Sequence, residues 1–96
     1  MKIRFTENAK NDFEKLQNDP SKTRIFKDVR KTLAFMETNL RHPSLNTHEF
    51  RGLNGPNGEK VFTAYVQQKT SCAYRIFWYY GPIKDMVSII GITPHP

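Results

Sequence analysis

The apolar residues of this chain change their period once, at the segment RHPSLNT, residues 41–47. Before it, Ala9, Phe13 and Leu16 recur at helical spacing, and Ile25, Val29, Leu33, Met36 and Leu40 fall within one stripe of a second, longer helix. After it, HEFRGL, KVFTAYVQ, CAYRIFWYY and MVSIIGIT read as strands, parted by the turn-rich stretches NGPNGE, QKTS and GPIKD. Helices first and strands afterwards, with no alternation between them, is the pattern of an α+β domain.

Local signals set the boundaries. KIRF alternates, with Ile3 and Phe5 on one face, and predicts a short N-terminal strand. Thr6 can cap the first helix, Pro20 stops it near Asp19, Ser21 or Thr23 can cap the second, and Pro43 bars its continuation. So short a link makes the two helices an antiparallel hairpin. The last three strands, joined by short turns, form an antiparallel meander. The two central ones are apolar on both faces, which predicts a sheet covered at least partly on both sides. The expected architecture is one domain over residues 1–96, an N-terminal strand and two-helix hairpin packed on a mostly antiparallel sheet of about four to five strands.

At 96 residues the core must be small. A chain 38% hydrophobic and 12% aromatic is nevertheless too apolar for disorder. Cys72 is the sole cysteine, which excludes an internal disulfide or a cysteine zinc cage; it reads as a small strand hydrophobe in a reducing cytoplasm. MKIRFTENAK turns polar too early for a signal peptide, and no apolar run approaches the roughly 20 residues that cross a bilayer, so a soluble cytoplasmic protein is expected. Fifteen Lys and Arg against nine acids give a formal charge of +6, which favours anionic partners: nucleic acid first, an acidic protein second.

Four features resist a purely structural account. Arg75 interrupts the most apolar strand, sharing a face with Ala73, Phe77 and Tyr79. A guanidinium there must be paired with an acid or face a polar cleft, where its planar fork suits phosphate. Glu49 and Arg51 share the opposite face of their strand from His48 and Phe50. They read as a solvated pair or, if they border the cleft of Arg75, as a general base and a second phosphate contact. Lys22, Arg24, Lys27, Arg30 and Lys31 make the second helix basic: a wet helix face, or a source of sequence-independent phosphate attraction. His95, between Pro94 and Pro96, follows a core strand and has a ring able to exchange protons near neutral pH. His42 and His48 have no partner at metal-ligand spacing, and neither a nucleotide loop nor a metal motif is present, so neither metal nor cofactor is expected.

The order of elements, with AYRIFWYY at residues 73 to 80, HEFRGL and the ending SIIGITPHP, resembles the RelE/ParE superfamily of toxins from type II toxin–antitoxin pairs. The likeness spans nearly the whole chain and is nearest to the RelE/YoeB-like mRNA interferase branch, the ending resembling its YoeB-like members. It implies a ribosome-dependent mRNA endonuclease, or mRNA interferase, that works without metal through attack of the RNA 2′-OH on the adjacent phosphate. Carried over by position, the resemblance makes Glu49 the base, Arg75 the phosphate clamp and His95 the acid, with Arg51 and Lys60 as further phosphate contacts. It also implies a cognate acidic antitoxin and mRNA on the ribosome, with rRNA contacts, as partners. That branch places a hydroxyl-bearing aromatic after the histidine, where Pro96 stands here. The ParE branch, which inhibits DNA gyrase without cutting RNA, and a plain basic nucleic-acid-binding domain are the alternatives.

Overall fold

The computed structural model describes residues 1–67 and 73–94; the expected QKTS turn, Cys72 and His95 lie outside them. The elements run β1 (Lys2–Phe5), α1 (Glu7–Gln17), α2 (Thr23–Thr38), β2 (His48–Asn54), β3 (Lys60–Tyr65), β4 (Tyr74–Tyr80) and β5 (Met86–Pro94). The strands form one sheet in the order β1-β5-β4-β3-β2. β2 through β5 make the antiparallel meander, while β1 pairs parallel with β5.

Thr6 starts α1 and also fixes it to the sheet. Its Oγ1 accepts from the Ala9 amide at 3.2 Å and donates to the Ile89 carbonyl at 3.0 Å. Further along the helix, Asn8 Nδ2 donates to the Ile90 carbonyl and Asp12 Oδ2 accepts from the Ile92 amide, each at 2.9 Å. α1 thus satisfies the backbone of β5 beyond the end of the short β1, where an edge would otherwise stay unpaired.

Neither Ser21 nor Thr23 caps α2. A 3-10 turn over Pro20–Lys22 intervenes, capped by Asp19, whose Oδ1 accepts from the Ser21 amide at 2.9 Å and the Ser21 hydroxyl at 2.6 Å. α2 also ends at Thr38, so Leu40 packs half-buried after the helix instead of within it.

Both helices lie on one face of the sheet. Ala9, Leu16, Val29 and Met36 pack there with Ala64, Ile76, Trp78, Val87, Ile89 and Ile92 into a single buried cluster. The bulge in β5 at Ile90 keeps this alternation in step: Phe77 pairs with Gly91, but Trp78 pairs with Ile89. No helix covers the other, open face among the described residues. Its apolar groups shield one another instead, Phe50 packing edge-on against Phe77 with ring centroids 5.2 Å apart.

Candidate functional site

Cross-strand pairing arranges the open face in rows. Tyr65, Arg75 and Thr93 form the first. His48, Thr63, Phe77 and Gly91 form the second. Tyr79, Ser88 and Arg4 belong to the third. Glu49 belongs to none of them. It pairs with Phe62, and that row continues through Trp78, Ile89 and Phe5, all on the helix side.

Arg75 is the centre of the site. Its guanidinium carbon sits 3.6 Å from the centre of the Tyr65 ring. Its Nη1 donates to the carbonyls of Gln67 and Tyr74, each at 3.1 Å. Both acceptors are neutral, and no carboxylate lies within ion-pair distance of Arg75 among the described residues. Its Nε is buried without an acceptor. One side of the guanidinium is therefore fastened and stacked, while the Nε–Nη2 edge is left unmatched. The planar guanidinium matches carboxylate and phosphate oxygens, and with Nε enclosed it is the Nη2 end that can meet one.

His48 reaches the same face, its ring centroid 6.0 Å from that of Tyr65. Its Nδ1 lies 2.6 Å from the Asn46 carbonyl, which can only accept, so in the neutral ring Nδ1 carries the proton and Nε2 the lone pair. A base nitrogen and an uncompensated guanidinium thus flank one aromatic ring. Beside them a hollow of about 420 Å³, lined by Phe50, Leu53, Phe77, Ile90 and Thr93, opens on the same side.

The residues singled out in the sequence separate accordingly. Arg51 Nε lies 3.9 Å from Glu49 Oε2 with its side chain 89% exposed, the solvated pair that was one of the two expectations. The register does not bring Glu49 to Arg75, and alternation along β3 places Lys60 with Phe62 on the helix side as well. Lys27, Arg30 and Lys31 are exposed on α2, in the helix layer. β5 reaches Pro94, one residue past the partner of Arg75, and His95 lies outside the described residues. His48 and Tyr65 carried no functional role in the sequence reading. Their signal was alternation: His48 points away from Glu49, and Tyr65 sits opposite Arg75 once the β3–β4 hairpin is paired.

No protein-family model matches the chain, and neither does any curated protein sequence. Solved structures do. A YoeB/ParE toxin from Agrobacterium tumefaciens superposes with a TM-score of 0.70 at 12% identity, each chain covered in full. The chain has the RelE/YoeB toxin fold. The YoeB dimer of Staphylococcus aureus gives 0.66 at 12% identity, covering 100% of this chain and 98% of that one. A chain of the archaeal RelE–RelB complex from Pyrococcus horikoshii OT3 gives 0.63 at 12% identity, over 97% of this chain and 92% of that one. That fold agrees with the expected α+β architecture; at such identities it carries no residue's role with it.

Proposed function

We propose that this protein is the toxin of a type II toxin–antitoxin pair and cleaves mRNA on the ribosome without metal. The observation that carries this is the Arg75 guanidinium, held on the Tyr65 ring with no carboxylate partner among the described residues, on the same face as His48. His48, in place of Glu49, takes the proton of the RNA 2′-OH. The 2′-oxygen then bonds to phosphorus as the bond to the 5′-oxygen breaks. Arg75 offsets the negative charge gathered on the phosphorane, and the leaving 5′-oxygen receives a proton from His95. The products are a 2′,3′-cyclic phosphate and a 5′-hydroxyl. Lys27, Arg30 and Lys31 supply non-specific attraction to ribosomal RNA, supported by their exposure on one helix.

The partner is an acidic, partly disordered antitoxin that covers the open face, a reading supported by the formal charge of +6 and by the Pyrococcus RelE–RelB complex. Regulated expression in a bacterial host, with mapping of mRNA ends, tests the proposal. Wild type halts growth and leaves cleaved mRNA with 5′-hydroxyl ends, and Arg75→Ala does neither. Growth arrest without cleavage, equally strong in Arg75→Ala, would instead establish a noncatalytic toxin.

A further inference from the structure

The hollow beside Arg75 and His48 is lined by neither of them, and the chemistry proposed above leaves it without a role. The register of β2 slips between Phe50 and Asn54, and Phe50, Gly52 and Leu53 wall the hollow from that side. The Phe50 ring folds back over Gly52 so closely that a Cβ on Gly52 would lie 2.8 Å from its Cε2. In that position it meets Phe77 edge-on, while Leu53 stays 47% exposed at the mouth. The volume, about 420 Å³, falls in the range of small-molecule sites, roughly 300–1,000 Å³. The walls are apolar, but the rim is polar. Asn8 directs Nδ2 at the Ile90 carbonyl, which leaves its Oδ1 as an acceptor, and the Thr93 hydroxyl has no partner among the described residues.

We propose that this hollow receives one base of the RNA, that of the nucleotide on the 3′ side of the cut. Thr93 stands directly opposite Arg75 on β5, a Cα separation of roughly 5 Å. Phe77 lies two residues along β4 from Arg75, roughly 7 Å away. A ligand that sets an anion on Arg75 therefore finds flat apolar walls and hydrogen-bonding rim groups within the reach of one nucleotide. A nucleotide joins a planar base and a phosphate covalently and matches all three features; an apolar side chain of a protein partner matches the walls alone. The side of the cut follows from strand order. His48, which takes the 2′-OH proton, stands on β2, and Thr93 and Pro94 stand on β5, with Arg75 on β4 between them. Pro94 immediately precedes His95, the donor to the leaving oxygen. Attacking and leaving oxygens lie on opposite sides of the phosphorus, so the 3′ nucleotide departs toward β5 and the hollow. The base site rests on the reading that this face cleaves RNA. It adds that the protein itself holds a base next to the cut.

Three probes that cannot be cleaved test this: a 2′-O-methyl dinucleoside monophosphate, the same molecule with an abasic 3′ residue, and the same with an abasic 5′ residue. Loss of the 3′ base lowers affinity about tenfold, the scale of one stacked base, and loss of the 5′ base changes it by less than about threefold. In labelled wild type the intact and 5′-abasic probes shift the methyl resonances of Leu53 and Ile90, and the 3′-abasic probe does not. Leu53→Ser, at an exposed position, narrows the gap between intact and 3′-abasic probes and leaves the affinity of the latter unchanged. Intact and 3′-abasic probes that bind alike overturn the base site, and so does an intact probe that leaves both methyl resonances unmoved. A larger loss from the 5′ base than from the 3′ base overturns it as well. An acidic peptide that shifts those methyls when no probe does gives the hollow to a protein partner instead. Cleavage of mRNA is scored separately. Wild type that cuts mRNA while all three probes bind alike keeps the nuclease reading and loses the base site; wild type that shows the 3′-base preference but cuts nothing loses the nuclease reading and keeps the site.

Discussion

The Arg75 guanidinium rests 3.6 Å from the centre of the Tyr65 ring, directly across the β3–β4 pairing. The stack and the two carbonyl bonds fix its orientation before any ligand arrives, so little has to reorganise when negative charge develops. Arg75→Lys keeps a charge but loses the planar fork. It should lower single-turnover mRNA cleavage by about a hundredfold or more, close to the effect of Arg75→Ala. Near-wild-type cleavage by the lysine variant would show that the site needs only a point charge.

His48 and Glu49 are adjacent in sequence and oppositely placed in the sheet. His48→Gln should slow single-turnover cleavage by about 10²- to 10⁴-fold, the loss expected when a positioned general base is removed. Glu49→Gln should stay within a few-fold of wild type. The reverse pattern would return the base to Glu49.

Asp12 belongs to α1, but its hydrogen bond serves β5. Asp12→Ala leaves the Ile92 amide without an acceptor next to the core and should cost about 1–3 kcal/mol. In a domain of this size each kcal/mol lowers Tm by roughly 4–8 °C. Thermal unfolding followed by circular dichroism checks it, and an unchanged Tm would mean that another group takes over the amide.

Asp19 holds its carboxyl below the ordinary aspartate value, chiefly through the Ser21 hydroxyl and then the Ser21 amide. A carboxylate whose pKa is lower folded than unfolded contributes stability above its unfolded pKa and loses it as pH falls through the folded one. The contribution is therefore present at neutral pH and fades below an ordinary value of 3.8. Asp19→Asn should flatten the acid side of the stability–pH curve, read by denaturant titrations across that range. A parallel curve for the variant would remove Asp19 as a source of acid sensitivity.

The α+β order, Thr6 as a cap, Pro20 and Pro43 as boundaries and the meander after residue 47 were legible in the chain, because each depends on local spacing or on a backbone restriction. Alternation also placed Arg75 with Phe77 and Tyr79, and Glu49 opposite His48. Alternation alone could not say which side of β2 would share a face with Arg75. Shifting a strand by one residue exchanges its two faces, and register is set by the turns and by which apolar set reaches the core. Tertiary structure made that choice. Phe62, Ile76 and Trp78 turned toward the helices and carried Glu49 with them, leaving His48, Tyr65 and Arg4 on the face of Arg75. The sequence determined that a guanidinium would interrupt an apolar strand; only the pairing of five strands decided what stands beside it.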